Sequence, residues 1–244
     1  MRIRTGVVPA TLVALALLLA VPAHAQNRIG VIGGVNLSTA SFDPSVSTAL
    51  AEEGFSADSK GKTGFGVGIS FERTLSPKVN LRLHGLFNQI GFGIEGNGTF
   101  SAAGAAGLGA SPAGGVGTFE VENNYTLNEF NIDALVNLPV GAAARFSINA
   151  GMFFSFLMSD KQTFKNVFEG DVDEGTVDEE NEVNIKGNDA GIGIGGEFKI
   201  TPKVIVGALY RLGLVDRDDD EETPFNSVKT RAIFIYVLIP IGGN

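Results

Sequence analysis

Apolar residues alternate with small or polar residues over much of the chain. Residues 64–72 place Phe, Val and Ile side chains on one face and Gly, Ser and Glu on the other, and residues 191–200 do the same. A period of two residues is typical of β-strands. Gly weakens most strands, but on the polar face of a narrow barrel it leaves room for neighbouring side chains.

Segments of this kind recur eight times. An even number of such strands places both ends of the barrel on the same side. The segments cover about residues 28–38, 63–73, 79–92, 122–138, 145–158, 189–200, 204–215 and 228–241.

The connections between these segments alternate in length. The short ones, at 74–78, 139–144 and 201–203, contain Pro and Gly residues that favour turns. The long ones are polar and lie at 39–62, 93–121, 159–188 and 216–227. Short turns on one side and long loops on the other are typical of outer-membrane barrels. We therefore predict an all-β fold, an eight-stranded antiparallel up-and-down transmembrane β-barrel.

The beginning of the chain has the features of an export signal. Arg2 and Arg4 precede the apolar stretch 7–21, and Ala23-His24-Ala25 fits a small-x-small cleavage site. The apolar stretch is shorter than the roughly 20 residues of a spanning helix, so an uncleaved membrane anchor is the weaker alternative. We expect a signal peptide at 1–25 and a barrel domain at 26–244.

Composition argues against thiol chemistry and against nucleic-acid binding. The chain has no Cys, so neither disulfides nor thiol chemistry supports it. Its 27 acidic residues exceed its 18 basic ones, and two Arg belong to the predicted leader, so the mature chain is more acidic than the formal charge of −9. Nucleic acid is therefore not an expected partner.

The polar faces of the predicted strands carry a balanced set of charges. An eight-stranded barrel has an interior only wide enough for side chains, and buried charges need partners. We expect a lumen filled by ion pairs rather than an open pore. A soluble β-sandwich or lipocalin-like barrel, with the apolar faces inward, is the alternative. The predicted lumen network contains Glu72, Arg82, Glu129, Asp133, Glu197, Lys199, Arg211 and Arg231.

One histidine, His84, remains after the predicted cleavage. Its strand position points inward, as do those of Ser147, Ser155, Asp133 and Glu129, so a hydrolase or acyltransferase site is conceivable there. A lone His among polar residues is more often a structural hydrogen-bonding partner. We expect no catalytic residues, no cofactor and no enzymatic activity.

Acidic residues are concentrated in two long connections. Asp171, Asp173 and Glu182 match positions one, three and twelve of a calcium-binding loop, but Gly175 stands one position early. A solvated, self-repelling loop is the preferred interpretation. Diffuse binding of Ca²⁺ or Mg²⁺ is the alternative, with these three residues and Asp218, Asp219 and Asp220 as candidate ligands.

Three segments carry a family resemblance. Residues 28–38, residues 63–68 and Tyr210-Arg211-Leu212-Gly213-Leu214 resemble the first, second and penultimate strands of the PorT-like outer-membrane β-barrel family. The resemblance implies a bacterial outer-membrane protein. In such a protein, the even strand count and the loop lengths predict periplasmic termini and extracellular long loops. The resemblance also implies membrane lipid, periplasmic chaperones and the barrel assembly machinery as partners, and no particular activity.

Three functions remain open at this point. In order of preference they are a structural or interaction barrel, a narrow channel for ions or small solutes, and a membrane-embedded enzyme.

Overall fold

A computed structural model describes residues 27–42, 55–100, 117–141, 145–169, 176–181, 187–217 and 228–241, and every regular element in them is a β-strand. No helix long and apolar enough to cross a membrane occurs in this part of the chain. The predicted leader lies outside these residues. The strands are β1 (Asn27–Phe42), β2 (Phe55–Ser76), β3 (Val79–Phe100), β4 (Gly117–Val140), β5 (Phe146–Glu169), β6 (Thr176–Asn181), β7 (Asn188–Thr201), β8 (Val204–Gly213) and β9 (Val228–Ile241).

Eight of these strands form a closed antiparallel ring. Each pairs with the next in the order β1, β2, β3, β4, β5, β7, β8 and β9. The ring closes where β9 pairs with β1, from Ile29 opposite Ile241 to Phe42 opposite Val228. The predicted eight-stranded up-and-down fold is confirmed. β6 lies outside the ring and pairs with the far end of β5.

The outward face of the ring is a continuous apolar belt. On β9 the outward side chains of Ile233, Ile235, Val237, Ile239 and Ile241 are each between 41% and 60% exposed, and the outward residues of β1, β5 and β7 are similar. A soluble lipocalin-like barrel would bury this face, and a β-sandwich would not close into a ring. Neither soluble alternative fits the structure.

Inward glycines allow the strands to approach closely. A Cβ atom added to Gly34 would lie 2.0 Å from the carbonyl oxygen of Ile235 on β9. One added to Gly191 would lie 2.0 Å from the carbonyl oxygen of Leu212 and 2.6 Å from the ring of Phe153. Any side chain at these positions would collide with backbone of the neighbouring strand. The glycine-rich polar face therefore serves strand packing as well as the space of the lumen.

Four strands continue far beyond their predicted ends. β2, β3, β4 and β5 have 22 to 24 residues, whereas the other four strands of the ring have 10 to 16. The long connections at 39–62, 93–121 and 159–188 were therefore predicted too long. Gly and polar residues dominate these stretches and obscure the alternation, yet their backbones stay hydrogen-bonded in ladders.

The long strands form a wall on one side of the barrel. The pairing of β1 with β2 stops at Ser38 opposite Lys62, and that of β5 with β7 stops at Phe156 opposite Asn188. Beyond these points β1 stays paired with β9 as far as Phe42 opposite Val228, whereas β2 to β6 continue to pair with one another. We call the paired residues 55–61, 92–100, 117–127, 159–169 and 176–181 the outer wall.

The interior contains apolar layers as well as charges. One buried cluster comprises Ile32, Leu86, Leu135, Ile205, Leu209, Phe234, Tyr236 and Leu238. A second, nearer the outer wall, comprises Ala40, Ile90, Phe92, Ile94 and Leu127. The polar strand faces predicted a lumen filled by ion pairs, and these apolar layers correct that prediction. In β9 both faces are apolar, which removes the alternation that would have revealed its inward residues.

Candidate functional site

The lumen is the only part of the described residues where charged side chains are fully enclosed together, and we treat it as the candidate site. Arg82, on β3, is 1% exposed and bonds to two carboxylates. Glu72 is its cross-strand neighbour on β2, whereas Glu197 lies on β7, three strands away around the ring. One guanidinium group thus spans the lumen between two acids.

Further polar groups complete the surroundings of Glu197. The Tyr236 hydroxyl donates to its Oε1 at 2.6 Å, and the Asn137 side-chain amide donates to Oε2 at 3.4 Å. These donors satisfy the lone pairs that the guanidinium leaves free, as a buried carboxylate requires. The group therefore ties β2, β3, β4, β7 and β9 together through side chains.

A second buried group lies farther along the lumen. Arg211 of β8 binds Asp133 of β4 through two parallel hydrogen bonds, from Nε to Oδ1 at 3.0 Å and from Nη2 to Oδ2 at 2.7 Å. The Nδ1 atom of His84 lies 3.3 Å from the same Oδ2. The guanidinium carbon of Arg211 also lies 5.1 Å from the ring centre of Phe234, within cation–π range.

A third buried group lies next to the second apolar cluster. Arg217, four residues after the end of β8, is 1% exposed and bonds to Glu129 inside the barrel. The Ser155 hydroxyl donates to the other oxygen of Glu129 at 2.6 Å. The Arg217 backbone donates to Val228 at 2.9 Å, which fixes the start of the β8–β9 connection to β9. Arg217 was not among the predicted lumen residues, because it lies among acidic residues in the predicted connection 216–227.

The three groups occupy successive levels of the barrel. On β4 their members Asn137, Asp133 and Glu129 are spaced four residues apart, which corresponds to roughly 13 Å between levels in a strand. The apolar clusters pack beside and beyond them. Where the outer wall begins, the rings of Phe92 and Tyr125 stack with centres 4.7 Å apart. No single level has to close the lumen alone.

Most, but not all, of the predicted network residues occupy these levels. Lys199 is half-buried near the end of β7 and makes no ion pair within the described ranges. Arg231 is exposed on the same outward face as Ile233, so its predicted inward position is wrong. The residues after Arg231 are apolar on both faces of β9, so the sequence did not indicate which of them point inward. The buried members are Glu72, Arg82, Glu129, Asp133, Glu197 and Arg211.

The groups considered for catalysis are held apart. Ser155 donates to Glu129, and the Ser147 hydroxyl lies 3.5 Å from Glu197, so neither hydroxyl is bonded to His84. The Nε2 atom of His84 is buried without a hydrogen-bond partner. The enclosed imidazole is positioned by Asp133 and faces the edge of the Tyr236 ring. This arrangement is that of a packed side chain.

The six candidate cation ligands all lie outside the described residues. They are Asp171, Asp173, Glu182, Asp218, Asp219 and Asp220. Within the described ranges, no group of three or more potential metal ligands comes together.

No curated protein matches the chain, whereas several solved structures are similar to it. Neisserial surface protein A is similar in structure, with a TM-score of 0.42 and 12% identity over 86% of this chain and 96% of that chain. Ail, the attachment invasion locus protein of Yersinia pestis, gives 0.39 and 10% over 88% and 99%. OprG from Pseudomonas aeruginosa gives 0.32 and 12% over 91% and 95%.

The sequence itself matches one family. The matching family model is described as an outer membrane protein beta-barrel domain and covers residues 24–219, most of the chain and seven of the eight strands of the ring. The closed ring and its outward apolar belt are what such a domain requires. The chain therefore belongs to the outer membrane protein beta-barrel domain family.

Proposed function

We propose that this protein is a closed, non-conducting and non-enzymatic barrel of the bacterial outer membrane whose outer wall takes part in interactions outside the cell. The observation that carries the proposal is the bridge from Arg82 to Glu72 and Glu197 across the lumen. This bridge lies between enclosed apolar side chains. An ion that entered the barrel would meet charges that are already neutralised and apolar layers that cannot solvate it.

The proposed orientation rests on the two unlike ends of the ring. Asn27 and Ile241 lie at the end of the ring where short connections join β2 to β3, β4 to β5 and β7 to β8. Short turns face the periplasm in barrels of this kind. Both termini would then be periplasmic after removal of a signal peptide at 1–25, and the outer wall would face outward. The three strand resemblances described above support placement among PorT-like members of the family.

The interaction role rests on the length of the wall. A barrel strand crosses the bilayer with about 9–11 residues, whereas β4 has 24. The remaining residues of β2 to β5 form a paired sheet that is polar on its outward face, where Lys60 pairs with Glu95. A hydrogen-bonded sheet presents side chains at fixed positions, which suits recognition of another surface. The acidic connections around it would set its charge.

A labelling experiment tests this placement. Since the chain has no Cys, a single introduced cysteine is its only thiol. Asp58→Cys in the wall should react with a membrane-impermeant maleimide on intact cells, whereas Lys78→Cys in the 77–78 turn should react only after lysis. Labelling of the Lys78→Cys variant on intact cells, with protection of the Asp58→Cys variant, would reject the proposed orientation.

A narrow channel is the second candidate. Polar side chains occur at several successive levels of the lumen, and a rearrangement of their ion pairs would leave a polar path. The two functions differ in one property, the conductance of the folded barrel.

A further inference from the structure

Two cations stand on the outward face of β9 where the apolar belt ends. Five outward residues in succession, from Ile241 to Ile233, are apolar, and the next two are Arg231 and Lys229. The apolar part spans nine residues, about the length that crosses a bilayer. Arg231 and Lys229 therefore lie at the level where lipid headgroups begin.

The neighbouring strand β1 places this boundary at the same height. On β1, Leu37 stands opposite Ile233, while Thr39 stands opposite Arg231 and Ser41 opposite Lys229. On β8, the exposed Tyr210 stands opposite Ile233, and the outward Leu212 stands opposite Arg231, so the apolar surface continues further on that strand. The change from apolar to cationic and hydroxyl side chains is thus shared by β9 and β1.

These two cations are not neutralised by the described part of the chain. Neither Arg231 nor Lys229 has an ion pair there, in contrast to Lys60 of the wall, which pairs with Glu95. The nearby Asp216 uses its Oδ1 atom to accept a hydrogen bond from the Val228 backbone. Two neighbouring cations that have no ion pair within the described residues can bind an anion from outside the chain.

The geometry suits a phosphate group. Residues two apart on one face of a strand are about 6.6 Å apart, so a guanidinium and an ammonium group can approach one phosphate from two sides. Arg binds phosphate through two parallel hydrogen bonds, and Lys adds a point charge. The hydroxyls of Thr39 and Ser41 lie on the neighbouring strand, and the former is already 2.9 Å from the Ser59 hydroxyl.

We propose that Arg231 and Lys229 bind a phosphate of an anionic glycolipid in the outer leaflet, with the acyl chains of that lipid against the apolar belt below. Which leaflet supplies the lipid rests on the orientation proposed above. The binding chemistry does not, because it depends only on the residues at this edge of the belt.

Binding of lipid A to the full-length folded protein in detergent tests the proposal, with native mass spectrometry as the readout. Loss of a charge-assisted hydrogen bond weakens binding about tenfold or more. We expect that loss for Arg231→Gln/Lys229→Gln with lipid A carrying its phosphates. The matched control Lys78→Gln/Lys203→Gln, which removes two exposed cations at the opposite end, should stay within about twofold of the unsubstituted protein.

Two further arms identify the source of the phosphate. Dephosphorylated lipid A should bind the unsubstituted protein and the Arg231→Gln/Lys229→Gln variant equally, and millimolar inorganic phosphate should not displace intact lipid A. Equal affinity of the variant for intact lipid A, or an equal loss in the control, would overturn the proposal. Detergent removes the question of leaflet, so this result is independent of the maleimide labelling that tests the orientation.

Discussion

Arg211 and Asp133 form a two-hydrogen-bond ion pair between β8 and β4, which lie three strands apart in the ring and share no backbone pairing. Their contact therefore crosses the interior instead of following the wall. Asp133 is fully buried, so neither partner can recover its hydration if the other is removed. This dependence makes the pair the most direct probe of how the lumen is filled.

Asp133→Asn should lower the free energy of unfolding by about 3–5 kcal/mol, because it leaves the Arg211 charge enclosed without its counter-charge. Urea unfolding of the detergent-solubilised protein measures this change. The double variant Asp133→Leu/Arg211→Met removes both charges and should lose much less. A double variant as unstable as the single one would mean that packing volume, rather than charge pairing, holds this level together.

Substitution by Leu should change the free energy of unfolding little at Arg231 and strongly at Arg211. Arg231→Leu extends the apolar belt by one outward residue and should change the free energy of unfolding by less than about 0.5 kcal/mol. Arg211→Leu leaves Asp133 unpaired and should cost about 3–5 kcal/mol. Urea midpoints measured side by side give the comparison. Similarly large losses of stability in both variants would show that the Arg231 side chain lies in the lumen.

Gly34→Ala should prevent efficient closure of the barrel, because the added methyl group meets the Ile235 carbonyl oxygen at 2.0 Å on the closing strand. The neighbouring Gly33→Ala is the control, since its Cβ would find only the Gly66 carbonyl oxygen, at 3.7 Å. The fraction of protein that shifts in gel mobility on boiling reports closure. We expect a large reduction for the former and little change for the latter. Equal folded fractions would show that β1 and β9 can separate to admit the methyl group.

Alternation was sufficient to predict the number of ring strands and their order, since an apolar outward face and a small or polar inward face recur in most of them. It was not sufficient beyond residue 93 of β3 or residue 159 of β5, where the outward face of the outer wall is polar and its inward face mixes apolar residues such as Ile94 with Gly and Asn. It also gave no phase in β9, whose inward Phe234, Tyr236 and Leu238 are as apolar as its outward residues. Arg231 was misplaced for that reason.

The lumen was predictable in its composition and not in its pairings. Six inward charges followed from strand phase alone, but nothing in local sequence indicates that Arg82 reaches Glu197, 115 positions away along the chain. Arg217 lies beyond the end of a strand, where no periodicity applies. Its burial depends on the tertiary position of Glu129, which one sequence does not reveal.

Current recordings across planar bilayers test the central claim of a closed lumen most directly. Only protein that shifts in gel mobility on boiling should be reconstituted, so that an inactive sample is not mistaken for a closed barrel, and a general porin serves as the positive control. We predict no discrete current steps above those of protein-free bilayers. Regular steps of a reproducible size from the unsubstituted protein would contradict the account and establish a channel.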